Sequence, residues 1–142
     1  MALRFHLDTN IFVYATEADN DTGTRARQVL RQIEDGELEA VTSEITLAEV
    51  LRGGNALLNA ITFDGYIDLL SARRGLQVLP ISRDILIGSA RLKVERKIDL
   101  TDAIHVSTAL AAGCGAFLTE DVRLPVPAGL KKMSLIEHVG AL

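Results

Sequence analysis

The chain has one cysteine, Cys114, no tryptophan and only three prolines. A lone thiol closes no internal disulfide and supplies no cysteine-based zinc site, which suits a reducing compartment. Aromatic residues make up 4% of the chain, too few for a platform on which bases stack. No uncharged apolar run approaches the ~18 residues of a membrane span, so no membrane association is expected. Arg4, His6 and Asp8 interrupt the apolar stretch Met1 to Ala15, a pattern foreign to a signal peptide. A cytoplasmic protein is therefore expected. Internal repeats, low-complexity tracts and Pro/Gly/Ser linkers are missing too, so residues 1–142 read as a single domain.

What is present suits a packed core. A chain of 142 residues, 48% hydrophobic and 24% charged, is compositionally far from disorder. At this length folding buries about two-thirds of the unfolded surface. The formal charge of −4 argues against a nucleic-acid binder that works by bulk charge. That argument weakens if several carboxylates share a metal site, because bound cations would offset them.

Periodicity gives alternating strands and helices. Leu3 to Leu7 alternates apolar and polar and stops at Asp8-Thr9-Asn10, followed by a short helix or turn over Ile11 to Ala18. Thr24 is placed to cap a helix whose stripe is Ala26, Val29, Leu30 and Ile33, ending near Gly36. Glu39 to Ser43 reads as a strand. Thr42 or Ser43 then caps a helix over Ile45 to Leu51, stopped by Gly53-Gly54. Ala56 to Arg73 reads as helical with a break at Gly65, and Leu76 to Ile81 as a strand. Helices over Asp84 to Lys97 and from Asp99 or Thr101 to Ala112 follow. Ala116 to Leu118 is a short buried strand, and Met133 to Ile136 the last one. This alternation predicts an α/β fold in three layers, a mostly parallel central sheet with helices on both faces.

Ligands of open α/β sheets bind beyond the carboxyl ends of the strands. Asp8 and Asp121 fall at such ends, Asp102 lies in a helical first turn, and Glu49 sits in an otherwise apolar helix. Each has a structural explanation by itself. Asp8 can form a turn with its own downstream backbone. Glu49 can complete a capping box with Thr46 or pair with Arg52. Asp102 can stabilise its helix by facing the dipole, and Asp121 can simply occupy a loop. Gathered at one sheet edge, however, the four would repel one another, and folding requires no such arrangement. Mg²⁺ or Mn²⁺, which prefer hard oxygen ligands, would remove that repulsion, and such sites serve phosphodiester cleavage. Spacing alone leaves the assembly open.

Four stretches bear on it: Leu7-Asp8-Thr9-Asn10-Ile11, Thr42-Ser43-Glu44-Ile45-Thr46-Leu47-Ala48-Glu49-Val50, Leu100 to Leu110 around Asp102-Ala103-Ile104-His105, and Phe117-Leu118-Thr119-Glu120-Asp121. In this order and spacing they resemble the PIN-domain nucleases, and more narrowly the VapC toxins of toxin–antitoxin pairs. The resemblance implies a PIN-like three-layer fold and a Mg²⁺- or Mn²⁺-dependent endoribonuclease acting on RNA. It places metal-holding and catalytic acids at Asp8, Glu49, Asp102 and Asp121, with Asn10 and Thr119 in support. It also implies a homodimer silenced by a VapB-type antitoxin. Glu120 departs from the pattern by adding a charge beside Asp121.

Other residues divide between site and scaffold. His105 lies three positions after Asp102 on the same helix face and reads as a packed or supporting histidine, whereas His6 and His138 show no clear partner. Arg91, Lys93, Arg96 and Lys97 suit a solvated helix face. Arg123, next to Asp121, is a candidate RNA phosphate contact. The apolar set Leu57, Leu58, Ile61, Phe63, Ile67, Leu69 and Leu70 exceeds one helix stripe and is either core or interface. Two rival functions remain. A phosphatase with Asp8 as nucleophile is disfavoured because Asn10 stands where its general acid belongs. A catalytically silent PIN-fold protein-binding module is disfavoured because all four acidic positions are filled. Crowding of the acids also predicts that Asp8→Asn stabilises the chain in chelator.

Overall fold

The order of the strands in the sheet decides where a site can form. In the computed structural model, which describes residues 3–52, 55–71, 73 and 75–142, five parallel strands are ordered β3-β2-β1-β4-β5. They are β1 (Arg4–Leu7), β2 (Glu39–Ser43), β3 (Leu76–Leu79), β4 (Ala116–Leu118) and β5 (Lys131–Met133). The chain first builds outward from β1 through β2 to β3, then crosses back to lay β4 against the other side of β1. Leu7 pairs with Leu118, and the Asp8 backbone N–H donates to the Leu118 carbonyl at 3.0 Å. Between β1 and β4 the strand order reverses, which is where α/β sheets open a crevice at their carboxyl ends.

The helices are α1 (Thr9–Glu17), α2 (Asp21–Glu34), α3 (Ile45–Leu51), α4 (Asn55–Leu58), α5 (Ala60–Leu69), α6 (Arg83–Arg96), α7 (Leu100–Ala111) and α8 (Leu135–Val139). Strand periodicity divides the core between two faces. Phe5, Leu7, Ala40, Ala116 and Leu118 pack against Ile11 and Phe12 of α1, Val29 and Ile33 of α2, Val50 of α3, Tyr66 of α5 and Leu135 of α8. The alternate positions Val41 and Phe117 pack against Val106 and Ala109 of α7, with Leu92 of α6 behind them. Burying each large apolar side chain is worth about 1.5–3 kcal/mol, so both faces hold the sheet edge rigidly. The three-layer arrangement is the expected one, and the sheet is wholly parallel.

Several boundaries differ from the sequence reading for local reasons. The α2 helix starts at Asp21 because Asn20 caps it, accepting the Gly23 N–H at 2.9 Å, and Thr24 lies inside the helix. The break expected at Gly65 occurs at Asn59, whose side chain accepts the Ile61 and Thr62 N–H groups and restarts the chain as α5. Neither Thr42 nor Ser43 is the N-cap of α3: Glu44 holds that position without a side-chain bond, and Ser43, one residue earlier, accepts the Ile45 N–H at 3.1 Å in a local turn. The Gly53-Gly54 stop lies outside the described residues. The last strand ends at Met133, because Ser134 and Glu137 form a reciprocal capping box that turns the next residues into α8. Among the described residues no helix is long and apolar enough to cross a membrane.

Candidate active site

Asp8 leaves β1 and caps α1, accepting the Thr9 N–H through Oδ1 at 2.8 Å. Its Oδ2 accepts the Thr119 hydroxyl at 2.7 Å and the Asn10 amide at 3.4 Å. The turn role is therefore present, and the same carboxylate is also tied to Thr119 and Asn10. Thr119 follows β4 and is buried; its Oγ1 also accepts the Asn10 amide at 3.3 Å and the Asp121 N–H at 3.0 Å. The adjacency of β1 and β4 thus fixes the Asp8 carboxylate and the Asp121 backbone through one hydroxyl. Replacing Thr119 with Val, nearly the same in shape, leaves the Asn10 amide and the Asp121 N–H short of an acceptor. That variant is expected to lose about 1–2 kcal/mol in urea unfolding.

Glu49 projects from α3, and its Oε1 accepts from Thr9 Oγ1 and from His105 Nε2, each at 2.7 Å. The capping box with Thr46 does not form, because Thr46 Oγ1 pairs with Thr42 Oγ1 at 2.8 Å. Arg52 lies 3.9 Å from Glu49 Oε2. Burial raises the Glu49 pKa, but the hydrogen bonds from His105 and Thr9, with the charges of His105 and Arg52, outweigh it and hold the carboxyl below its usual range.

Asp102 stands in the first turn of α7. Partial burial and the negative charges of Asp8, Asp121 and Asp99 push its carboxyl up to about 6, with His105 pulling in the opposite direction. Repulsion among carboxylates, expected if they are brought together, is thus present at this group. Asp121 is exposed just beyond β4 and accepts the Arg123 N–H through Oδ1 at 3.0 Å.

All four acids line one open cavity of about 300 Å³, together with Thr9, Asn10, Val13, Tyr14 and Arg52. Another cavity, of about 240 Å³ at the amino ends of the strands, holds Arg4 and Arg73 against the single acid Glu39. The carboxylates line their cavity without converging on a point: among the described residues no three His, Cys, Asp or Glu side chains form a ready metal cluster. Glu49 is turned toward His105 and Thr9, and Asp8 toward Thr119 and its own helix. The donor set nonetheless fits a hard divalent cation. It consists of carboxylate oxygens, and Mg²⁺ is usually held by one or two of these with water and phosphate completing the shell.

Two features escaped the sequence reading. His6 is fully buried and has a partner, its Nε2 lying 2.9 Å from Nδ1 of the equally buried His105. His6 falls on the α7 face of β1, and strand alternation was the signal for it. The cation lining the cavity is Arg52; Arg123 is exposed and is not among the lining residues. Arg91, Lys93, Arg96 and Lys97 are exposed and do not line the cavity either. His138 pairs with Gln32 at 2.9 Å. The apolar segment divides: Tyr66 and Leu70 are buried, while Leu57, Leu58 and Ile61 are largely exposed.

Residues 6–130, which contain all four acids, match the PIN domain family model. The chain belongs to the PIN domain family. Curated proteins give no match. Among solved structures, this PIN domain is similar to DNA-bound VapBC from Salmonella typhimurium (TM-score 0.67, 21% identity, covering 94% of this chain and 98% of that one). It is similar to VapBC2 of Rickettsia felis bound to a promoter DNA fragment (TM-score 0.66, 22% identity, 93% and 98% covered). It is also similar to Mycobacterium tuberculosis VapC20, a sarcin-ricin loop cleaving toxin (TM-score 0.67, 17% identity, 84% and 92% covered). At these identities the likeness is one of fold.

Proposed function

We propose that this PIN domain is a metal-dependent endoribonuclease that hydrolyses RNA phosphodiesters, the toxin of a VapBC-type pair. One observation carries the reading: Asp8, Glu49, Asp102 and Asp121 line a single cavity where β1 and β4 meet, with the Asp102 carboxyl raised by burial and, next, by its acidic neighbours. Folding alone gives no reason to hold like charges there. The naming of similar structures as VapBC complexes and as a sarcin-ricin loop cleaving toxin supports a nuclease and an antitoxin partner.

In this reading Asp8, Glu49 and Asp102 hold Mg²⁺ or Mn²⁺, with Asp121 contributing from the exposed rim. A divalent cation held there supplies an activated water and charge stabilisation for the leaving oxygen. Thr119 and Asn10 fix the Asp8 carboxylate, and His105 and Thr9 fix that of Glu49. Arg52, on the cavity wall, meets an incoming phosphate, a role Arg123 shares only where the RNA extends past Asp121. Arg52→Ala is expected to raise KM about fivefold with kcat nearly unchanged, since an exposed phosphate contact is worth about 1 kcal/mol. Exposed Leu57, Leu58 and Ile61 suit a surface covered by a partner, which supports an antitoxin contact or a homodimer.

The test is cleavage of an end-labelled mixed RNA pool by the antitoxin-free chain in Mg²⁺ or Mn²⁺, with EDTA beside it. Cutting that EDTA abolishes is the expected result. A folded chain that neither binds Mn²⁺ nor cuts would leave the silent protein-binding module, the reading favoured by carboxylates that do not converge.

A further inference from the structure

His6 and His105 form a buried pair behind the acidic cavity, and every neighbour restricts where their protons sit. Glu49 offers only acceptors, so His105 Nε2, 2.7 Å from Glu49 Oε1, carries a hydrogen and donates it. Thr9 Oγ1, 3.0 Å from the same nitrogen, already donates to Glu49 and offers its lone pairs. A hydrogen on His105 Nδ1 would point at His6 Nε2 and drive the His6 hydrogen onto Nδ1, where no acceptor meets it, so His105 Nδ1 is the bare acceptor. The group facing it is His6 Nε2 at 2.9 Å, which must donate. That leaves His6 Nδ1 as a lone pair, and Nδ1 is the ring atom buried without a partner. The opposite arrangement would bury an unpaired N–H, a costlier group to leave unsatisfied than an acceptor. Stacking on Phe117 at 4.8 Å and a 14° interplanar angle keeps the His6 ring from turning.

We infer that His6 is a positioning residue: its Nε2–H locks His105 as the Nε2–H tautomer, and His105 in turn aims the Glu49 carboxylate into the cavity. The order of hydrogen bonds is His6 Nε2–H to His105 Nδ1, then His105 Nε2–H to Glu49 Oε1. A ligand carboxylate oriented from behind gains metal affinity, and losing such a partner typically costs 10–100-fold. The consequence for metal binding and cleavage rests on the nuclease reading; the tautomer lock does not.

Long-range ¹H–¹⁵N spectra of the metal-free chain at one fixed pH read the lock directly. Both histidines are expected to show a protonated Nε2 and a bare Nδ1. A protonated Nδ1 on His105 overturns the inference. His6→Phe keeps an aromatic ring against Phe117 but has no donor. With its melting curve and circular dichroism confirming the fold, it is expected to mix the His105 tautomers, weaken Mn²⁺ affinity by EPR about tenfold and lower kcat more than KM. His6→Gln places an amide N–H near the Nε2 position and is expected to recover most of the affinity. Unchanged Mn²⁺ affinity in folded His6→Phe, or no recovery in His6→Gln, overturns the positioning role. Should the wild-type chain bind no Mn²⁺ and cut no RNA, the nuclease reading falls, and the nitrogen shifts alone decide the lock.

Discussion

RNA cleavage by Asp8→Asn is expected to fall at least about a thousandfold, roughly 4 kcal/mol of transition-state stabilisation, while the chain stays folded. The fold survives because Asn is as good an N-cap as Asp and still accepts the Thr9 N–H that opens α1. What changes is the side facing Thr119. Asp8 Oδ2 accepts the Thr119 hydroxyl at 2.7 Å, and an amide NH₂ there forces that hydroxyl to turn and accept. Thr119 Oγ1 is already an acceptor for Asn10 and for the Asp121 N–H. Relief of repulsion with Asp102 is therefore offset by lost hydrogen bonds, and the chelator-treated variant is expected to melt close to wild type. The stabilisation that acid crowding alone suggests for Asp8→Asn overlooks this bonding. Cleavage of the labelled RNA pool and a melting curve in EDTA check both statements. Activity within tenfold of wild type would remove Asp8 from the metal-holding set.

The strands and helices that build the sheet edge were legible because strong local signals agree there. Leu3 to Leu7 alternates and stops at an Asx turn, and the strand around Phe117 is short and apolar, bounded by glycine and by Thr119. What sequence order could not give was the neighbour relation. Asp8 and Thr119 are 111 positions apart, and the return of β4 to the far side of β1 is what brings them together. Even with the resemblance supplying the four acids, their hydrogen bonding stayed hidden. Glu49 could have been a capping-box residue until Thr46 turned out to be bound to Thr42. The Ser134–Glu137 box is legible as Ser-x-x-Glu, yet the apolar Met133 to Ile136 around it also suits a strand, and the cap decides for the helix. His6 looked partnerless because its partner is 99 residues away on another layer. Adjacency along the chain favours Arg123, whereas the end of α3 carries Arg52 to the cavity wall.

Asp102→Asn is expected to separate stability from activity more sharply than any other single change. With its carboxyl raised from 3.8 to about 6, the folded chain holds that proton more tightly than the unfolded chain does. Ionising Asp102 therefore opposes folding, and metal-free stability declines as pH rises from about 4 through about 6. The group is partly solvated, so the full linkage value must be discounted, leaving about 1–2 kcal/mol at pH 7.5. Asp102→Asn lacks this term. In EDTA it is expected to melt about 3–6 °C above wild type at pH 7.5 and to match it near pH 4. On the proposed metal-dependent reading the order is expected to reverse with Mn²⁺, because a cation held by the ionised carboxylates would stabilise wild type by mass action, while the variant would lack one ligand. Its RNA cleavage is expected to fall about a thousandfold at every pH. Differential melting across pH with and without Mn²⁺ reads the crossover. An Asp102→Asn advantage of the same size at pH 4 and pH 7.5 would mean that it reflects helix packing in α7 rather than charge. The Asp102 carboxylate would then have to be explained without the crowded acidic cavity.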